Sequence, residues 1–185
     1  MPLSASGVRN DREISMNKKL KYTIFKTEMG WVGILASEQG LLGTTLPQSA
    51  SQEAGMSLGD NLNEADRTPQ LFEDLVERLK LYFRGHRTPF PDDLDLSAGT
   101  PFQREAWQTT ALIPFGETRS YLWIASQMGK PGAARAVGQA LGNNPLAIIV
   151  PCHRVVASDG GLGGFGGGLE MKQSLLRLEA SSGTR

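Results

Sequence analysis

Apolar and polar positions form short runs near the start of the chain, and this pattern predicts β-strands. Three such runs are separated by Met-Gly and Gln-Gly pairs, which are typical turn sequences. The runs lie at residues 21–26, 31–36 and 41–46. We expect them to form an antiparallel meander. Residues 47–67 are polar with scattered glycines and predict a loop or a weak helix, whereas residues 1–17 are polar and aperiodic and predict a mobile tail.

A helical period begins at Thr68 and ends at Gly85. Threonine followed by proline is a typical helix start, because Thr can cap free N–H groups and Pro fits the first turn. Apolar side chains then recur every three or four residues and predict one buried face. They are Leu71, Phe72, Leu75, Leu79, Tyr82 and Phe83. We interpret the aromatic residues among them as core, and His86 in the basic turn that follows as an ordinary surface residue.

Two prolines and three carboxylates within residues 88–95 predict a boundary between domains. We interpret Asp92, Asp93 and Asp95 as a solvated connector and not as a metal site.

Helices dominate the pattern after this connector. Thr100 and Gln103 form a capping box that opens a helix of about three turns, and Ser120 can cap a later one. The three remaining helices are predicted at residues 121–128, 133–141 and 169–179. The first two of these flank a Lys-Pro-Gly turn and have the outline of a helix-turn-helix, although many helical pairs share that outline.

The composition is that of one large or two small soluble domains. A chain of 185 residues with 39% hydrophobic and 21% charged residues can bury a substantial core. No apolar run approaches 18 residues and no signal-peptide pattern is present, so neither a membrane span nor export is indicated. The net charge is zero, but residues 101–185 carry eight basic and five acidic side chains. A modest cationic half can suit a polyanion, although so small an imbalance lies within ordinary scatter.

The only cysteine, Cys152, lies in a Pro-Cys-His-Arg sequence between two runs of β-branched apolar residues. A thiol is nucleophilic as its thiolate, and the neighbours His153 and Arg154 could lower its pKa. A buried structural cysteine is the alternative. One cysteine and two distant histidines leave no metal-ligand set, so we expect no metal and no cofactor, and a lone cysteine fits a reducing cytoplasm.

Residues 158–168 contain seven glycines around Leu162 and Phe165. Glycine at this density allows a backbone to lie close against a ligand. A flexible loop is the alternative, and a phosphate loop is disfavoured because no Gly-Lys-Ser/Thr sequence follows.

Five short motifs follow one another in the second half of the chain. They are Ile-Pro-Phe-Gly-Glu-Thr-Arg-Ser-Tyr at residues 113–121, Ala-Arg-Ala-Val-Gly at 134–138, Asn-Pro at 144–145, Ile-Val-Pro-Cys-His-Arg-Val-Val at 149–156 and Gly-Gly-Leu at 167–169. In their order and spacing, residues 100–179 resemble the O6-alkylguanine-DNA alkyltransferase family. Residues 21–90 resemble that family only in layout, as a small sheet followed by a helix.

The resemblance implies an α/β fold, with a small N-terminal RNase H-like α/β domain followed by a mainly helical C-terminal domain that carries the helix-turn-helix. We expect the tail at residues 1–17, the N-terminal domain at 18–90, the linker at 91–99 and the C-terminal domain at 100–185. The implied function is DNA repair. Such a protein flips O6-alkylguanine, mainly O6-methylguanine, out of duplex DNA and transfers the alkyl group irreversibly to its own cysteine, once per molecule.

The resemblance also implies roles for individual residues. Cys152 would accept the alkyl group, and His153 would act through a water as its base. Glu179 would orient His153, Asn144 would brace the active loop, and Tyr121 would donate a hydrogen bond toward the flipped guanine.

On the DNA side, Arg135 in the second helix of the helix-turn-helix would enter the base stack in place of the extruded nucleotide. Further implied contacts with DNA are Tyr121, Ser120, Ala134 and Gly138, and the implied substrate pocket is formed by Val155, Phe165 and Gly166. Phe165 stands where the family often has Tyr, and Gly166 where some relatives carry Ser. Our hypothesis is that Gly166 leaves a roomier pocket that tolerates adducts larger than methyl.

Three other functions remain as alternatives. An alkyltransferase-like lesion binder lacks the acceptor cysteine, which is present here. A helix-turn-helix regulator leaves the Pro-Cys-His-Arg sequence unexplained, and a cysteine hydrolase does not account for the helix that carries Arg135. We expect double-stranded DNA as the partner, bound through the minor groove, no membrane partner, a cytoplasmic location and a monomer, with cooperative binding on DNA left open.

Overall fold

A four-stranded sheet forms the first half of the computed structural model, which describes residues 19–181; the tail predicted at residues 1–17 lies outside them. The strand order is β3-β2-β1-β4. The strands are β1 Leu20–Thr27, β2 Gly30–Ser37, β3 Gly40–Thr44 and β4 Ala65–Arg67. The first three form the antiparallel meander that the sequence predicts. The pattern does not predict β4, because this three-residue strand pairs in parallel with β1 and buries no side chain fully.

Six α-helices and a second, two-stranded sheet complete the described structure. The helices are α1 Ser51–Ser57, α2 Glu73–Phe83, α3 Pro101–Ala111, α4 Tyr121–Gln127, α5 Ala134–Gly142 and α6 Leu169–Ser181. The short parallel strands are β5 Arg119–Ser120 and β6 Val155–Val156. Turns of 3-10 helix occur at Asp60–Glu64, Pro69–Phe72, Pro131–Ala133 and Cys152–Arg154.

The start of α2 differs from the prediction. Pro69–Phe72 forms a 3-10 turn, and Thr68 does not cap it, since its hydroxyl donates to the carbonyl of Asp66 at 3.2 Å. A 3-10 turn has three residues per turn, so the α-helical period does not apply there. Leu71 is accordingly 62% exposed and not core, whereas the other five apolar residues of the predicted face are buried.

The acidic connector is also structured differently from the expectation. Its backbone pairs with β3 through hydrogen bonds of 2.8 Å. Asp95 is buried and accepts a 2.6 Å bond from Ser37, and Asp92 forms a two-point ion pair with Arg78 at 2.7 Å. The interpretation as a solvated connector is therefore wrong for these two acids, whose partners are distant in sequence. The domain bounds around residues 91–99 stay a prediction.

The helices of the second half pack as the sequence indicates. The capping box of Thr100 and Gln103 is formed, with bonds of 2.9 and 3.2 Å. Trp107 on α3 is buried and donates to the carbonyl of Ala140 on α5 at 2.8 Å. Ser120 caps α4, which is joined to α5 by one 3-10 turn, so the predicted helix-turn-helix is confirmed.

One hydrophobic core runs through both halves of the structure. Fully buried side chains come from the sheet, from α2 and from the C-terminal helices. Among them are Val32, Ile34, Leu79, Tyr82, Ile113, Ile124, Val137, Leu146, Val150 and Leu175. The backbone of Thr44 at the end of β3 also donates to Pro145 at 2.9 Å. The segment that leads to Cys152 is thus fixed against the N-terminal sheet.

Two features are absent from residues 19–181. No helix there has the length and apolar character needed to cross a membrane. No group of three or more His, Cys, Asp or Glu side chains in the same residues is arranged to hold a metal ion.

Candidate active site

Cys152 is the first residue of the 3-10 turn that follows the apolar segment. Asn144 braces this turn from the end of α5. Its amide nitrogen donates to the carbonyl of Val150 at 2.9 Å and approaches Sγ of Cys152 at 3.2 Å, while its amide oxygen accepts from the backbone of Leu146 at 3.0 Å. The sequence-based expectation that Asn144 braces the active loop agrees with this geometry.

The chain before the cysteine is strained at Ile148. This buried residue has a φ of 72°, a conformation that a β-branched side chain rarely adopts. Such strain costs about 1–3 kcal/mol and persists where surrounding contacts enforce it. Here Asn144 bonds to the backbone on both sides of Ile148, and Thr44 of β3 bonds to Pro145 and Ala147. The approach to Cys152 is therefore held in one conformation.

His153 lies directly behind the thiol and is fully buried. Its Nε2 atom is 2.7 Å from Oε1 of Glu179, and a carboxylate oxygen can only accept, so Nε2 carries the proton. Nδ1 is buried and has no hydrogen-bond partner among the described residues. His153 is thus held in the tautomer whose Nδ1 lone pair can accept a proton.

Glu179 is the residue at which the site's hydrogen bonds converge. Arg154 donates to its two oxygens at 2.9 to 3.2 Å, and the backbone N–H of Gly116 donates to Oε2 at 2.9 Å. Arg154 also donates to the carbonyl of Ile113 at 2.7 Å. Arg154 therefore serves structure, and it supplies the positive charge that balances a buried carboxylate.

Sequence reasoning missed two residues of this site. Tyr82 was interpreted as core, yet its hydroxyl donates to Oε1 of Glu179 at 2.7 Å and lies 3.2 Å from Nε2 of His153. Lys172 was not singled out, yet it is fully buried. A signal for Lys172 existed, because it falls at helical spacing from Leu175 and Glu179, the other buried residues of α6.

The ammonium group of Lys172 holds the glycine-rich loop, residues 158–168, from behind. It donates to the carbonyls of Val155 at 2.6 Å, Leu162 and Gly164 at 3.4 Å, and it lies 5.9 Å from the ring centroids of Tyr121 and Phe165. Burial lowers the pKa of Lys172, and the charge of the Cys152 thiolate raises it in opposition. The loop is thus an ordered wall of the site, and the flexible-loop alternative does not describe it.

Burial dominates the protonation of the two reacting groups. It raises the pKa of the Cys152 thiol, while the bond from Asn144 and the charge of Lys172 oppose that rise. It also lowers the pKa of His153, against the opposing effect of Glu179. At neutral pH the resting pair is therefore a thiol and a neutral imidazole, and the imidazole is available as a base.

A cavity of about 670 Å³ opens in front of the thiol, between α5 and the glycine-rich loop. Its lining brings together most of the residues that the sequence analysis assigned to DNA and substrate. These are Cys152, Tyr121, Ala134, Arg135, Gly138, Phe165 and Gly166. The hydroxyl of Tyr121 donates to the carbonyl of Gly164 at 3.2 Å, and Arg135 is exposed at the cavity's edge.

Two assigned residues lie elsewhere. The side chain of Val155 is fully buried and does not line the cavity, because its position in β6 turns it into the core. Ser120 likewise lies outside the lining, since its hydroxyl is used to cap α4. His153, Glu179 and Asn144 lie behind the cavity wall and support Cys152 from there.

The glycine-rich loop approaches Tyr121 so closely that one position requires glycine. Gly163 has a φ of 66°, and a Cβ atom there would lie 2.8 Å from the Tyr121 ring. By contrast, a Cβ atom at Gly166 would meet nothing within 4 Å, so that part of the cavity is open.

The fold and the site together define a class of protein. A sheet domain is followed by a helical domain in which a helix-turn-helix borders a cavity, and a single thiol supported by an imidazole and a carboxylate forms the cavity's floor. This arrangement suits nucleophilic transfer to cysteine beside a bound polymer.

Comparisons with known proteins agree with this class. The family model described as "6-O-methylguanine DNA methyltransferase, ribonuclease-like domain" matches residues 20–96, and that described as "6-O-methylguanine DNA methyltransferase, DNA binding domain" matches residues 101–181. The methylated-DNA–protein-cysteine methyltransferase of Mycolicibacterium paratuberculosis is 54% identical over 125 residues, which cover 65% of this chain and 75% of the relative. That of Methanosarcina acetivorans is 38% identical over 161 residues, covering 86% of this chain and 98% of the relative.

A solved structure is similar over most of the chain. The crystal structure of Mycobacterium tuberculosis OGT in complex with DNA matches with a TM-score of 0.72 and 41% identity, covering 88% of this chain and 94% of the other. The chain therefore belongs to the 6-O-methylguanine DNA methyltransferase family. The two-domain α/β fold inferred from the sequence, with a ribonuclease-like sheet domain first, is confirmed.

The buried carboxylate gives a testable dependence of stability on pH. Burial alone would raise the pKa of Glu179, but hydrogen bonds and charge from His153 and Arg154 outweigh it and hold the pKa at about 2. A depressed folded-state pKa stabilises the protein above the unfolded value of about 4.3, and this contribution is lost as pH falls toward about 2. We expect Glu179→Gln to lower the free energy of unfolding at neutral pH by roughly 3–5 kcal/mol, because Arg154 loses its buried counter-charge.

Urea unfolding at a series of pH values between about 2 and 7 would measure the contribution of Glu179 to the free energy of unfolding. The curves of wild type and Glu179→Gln should converge at the acid end. The matched control is Glu105→Gln, which removes an exposed ion pair with Lys130 and should cost less than about 1 kcal/mol. If the difference in the free energy of unfolding between wild type and Glu179→Gln stayed constant down to the acid end, the depressed pKa of Glu179 would be contradicted.

Proposed function

We propose that this protein repairs DNA by transferring the alkyl group of O6-alkylguanine, mainly O6-methylguanine, irreversibly to Cys152. The observation that carries the proposal is the shared cavity, with Cys152 at its floor and Arg135 of the helix-turn-helix at its edge. Family membership supports the same chemistry, since the relatives are named methylated-DNA–protein-cysteine methyltransferases. Each molecule acts once, because the thioether formed on Cys152 is stable and the chain has no second thiol that could take the alkyl group from it.

The transfer is an in-line displacement at the alkyl carbon. The Sγ–C bond forms as the C–O6 bond breaks, and the electron pair of that bond passes to the guanine. His153 takes the thiol proton at Nδ1 through a water, and Glu179 holds Nε2 and stabilises the imidazolium that forms. Tyr121, whose pKa burial raises, keeps its proton, turns it from the carbonyl of Gly164 and donates a hydrogen bond to the departing base.

A stacked base cannot reach a thiol on a cavity floor, so the damaged nucleotide is flipped out of the duplex. Flipping costs a few kcal/mol, and Arg135 offsets part of that cost by filling the gap in the stack. Ala134 and Gly138 are small, so the face of α5 around Arg135 can approach the DNA closely. We place this face in the minor groove, and Ser120 at the start of α4 beside the phosphate backbone.

The other features of the proposal follow from the same site. The partner is double-stranded DNA, bound by a monomer. No cofactor takes part, because the leaving base and the thiol need none. A nucleophile that is the chain's only cysteine fits a reducing compartment, which supports a cytoplasmic location.

Incubation with duplex DNA that carries labelled O6-methylguanine tests the transfer directly. We expect one methyl group per chain, located on Cys152 by mass spectrometry, and no transfer by Cys152→Ala, because the chain has no second thiol. Undamaged duplex of the same sequence is the control. Selective binding of the lesion without transfer would instead support a lesion binder, repeated release of product a hydrolase, and binding indifferent to the lesion a regulator.

Arg135 can be tested by comparing two substrates. We expect Arg135→Ala to slow transfer from methylated duplex DNA by tenfold or more, on the order of the cost of flipping. Reaction with free O6-alkylguanine base should be nearly unchanged, because no base stack has to be opened. Arg177→Ala, which removes an exposed arginine of α6, is the matched control. If Arg135→Ala slowed transfer equally from duplex DNA and from the free base, the role of Arg135 in the base stack would be ruled out.

The open space at Gly166 predicts the range of adducts. We expect free O6-benzylguanine to label Cys152, and Gly166→Ser to reduce the benzyl rate relative to the methyl rate by about tenfold, because the added side chain fills space that the larger group needs. Gly132→Ser is the control, since a Cβ atom there also meets nothing within 4 Å but the residue lies outside the cavity. Failure of the benzyl compound to label a protein that accepts methyl from DNA would contradict the roomier pocket.

A further inference from the structure

Tyr82 brings a polar atom of the N-terminal half into the catalytic network of the C-terminal half. It lies near the end of α2 and is fully buried. Its hydroxyl donates to Oε1 of Glu179 at 2.7 Å, and the same oxygen lies 3.2 Å from Nε2 of His153. The contact joins residues 97 positions apart in sequence.

Packing alone does not explain a tyrosine at this position. The ring makes edge-to-face contacts with Phe83, Phe90 and Phe115, with centroids 5.2 to 6.1 Å apart. A phenylalanine would make the same contacts. A hydroxyl buried at this depth costs free energy unless it is hydrogen-bonded, so the polar atom is there for its partners.

The geometry fixes which group donates. Burial and the neighbouring charge of Glu179 raise the pKa of Tyr82, so it remains a protonated donor. With its proton directed at Oε1, the lone pair of the hydroxyl oxygen is available toward Nε2 of His153. That arrangement is favourable only if Nε2 carries a hydrogen, because a bare Nε2 would face both the carboxylate and this lone pair.

We propose that Tyr82 is a positioning residue for alkyl transfer: its hydroxyl holds the Glu179 carboxylate against Nε2 of His153 and so stabilises the tautomer that leaves Nδ1 free to act as the base. The inference rests on the proposed function, in which His153 accepts the proton of Cys152. The N-terminal domain then completes the active site directly, as well as supporting the fold. Tyr82 does not line the cavity, so it acts through Glu179 and His153.

Tyr82→Phe is the decisive variant, because it removes one hydroxyl and keeps the ring. We expect the single-turnover rate constant of methyl transfer at neutral pH to fall about tenfold, the scale of one hydrogen bond to a charged group. The fall should be equal for methylated duplex and for free O6-methylguanine, with unchanged affinity for DNA. Tyr22→Phe, which removes a hydroxyl from β1, is the matched control and should react as wild type does.

The pH profile separates positioning from simple packing. The groups that face His153 are Tyr82 on α2, Glu179 and Lys172 on α6, and Cys152 and Arg154 beside it. Without the hydroxyl, the Glu179 charge is less neutralised and favours the imidazolium more strongly. The pKa of His153 should rise, and the acid limb of the rate profile should move to higher pH.

Nitrogen NMR of 15N-histidine-labelled protein reads the tautomer directly, and the chain has only His153 and the exposed His86, which serves as an internal reference. We expect Nε2–H in wild type, and in Tyr82→Phe we expect changed shifts of the His153 nitrogens, because the hydroxyl oxygen next to Nε2–H is gone. Wild-type kinetics or unchanged His153 shifts in the variant would overturn the proposal. Should Tyr82→Phe not fold, a slowly exchanging Tyr82 hydroxyl proton with a contact to the His153 ring in wild type is required, and its absence would also overturn it.

A failure of the proposed function is distinguishable from a failure of this inference. If wild-type protein transferred no methyl group, the proposed function would be overturned. The His153 nitrogen shifts of Tyr82→Phe would still show whether Tyr82 stabilises the tautomer. Wild-type protein that transfers normally, with Tyr82→Phe indistinguishable from it, would leave the function standing and remove Tyr82 from the site.

Discussion

The burial of one carboxylate is the constraint on which the rest of the site depends. Glu179 is 3% exposed, and an isolated charge at that depth would be prohibitively costly. Four residues from three places donate to it: one from α2, one from the turn at Gly116 and two neighbours from the turn that carries Cys152. Because all of them must meet at one point, the carboxylate fixes α6, the active turn and α2 relative to one another. The same hydrogen bonds therefore determine both the geometry of the site and the packing of α2 against the C-terminal domain.

This arrangement also explains how a buried thiol can react. Burial disfavours both charged forms, the thiolate of Cys152 and the imidazolium of His153. Before the reaction both groups are therefore neutral. Charge develops only during the reaction, when Glu179 stabilises the imidazolium and Lys172 lies close enough to stabilise the thiolate. Folding already places the partners of these groups, so no free energy has to be spent on rearranging them when the substrate binds.

The sequence predicts the elements of this site better than their connections. The meander, the capping box and the helix-turn-helix follow from local signals, and the family resemblance around Pro-Cys-His-Arg points to Cys152 as the proposed alkyl acceptor. The roles of Asp95 and Tyr82 depend on partners far away in the chain, and no local pattern contains that information. Leu71 was misassigned because a 3-10 turn replaces the α-helical period at the start of α2. Lys172 could have been found, because a lysine on the apolar face of a helix requires a buried partner.

The cavity wall shows why the glycine-rich loop carries so few side chains. An ordinary loop is ordered by its own side chains, and these would occupy the space in front of Cys152. Here Lys172 holds the loop from behind through its carbonyl groups, and Gly163 lets it lie directly on Tyr121. The part of the wall that this loop contributes is therefore mostly backbone and thin. A wall of this kind leaves room for a whole base in front of the thiol.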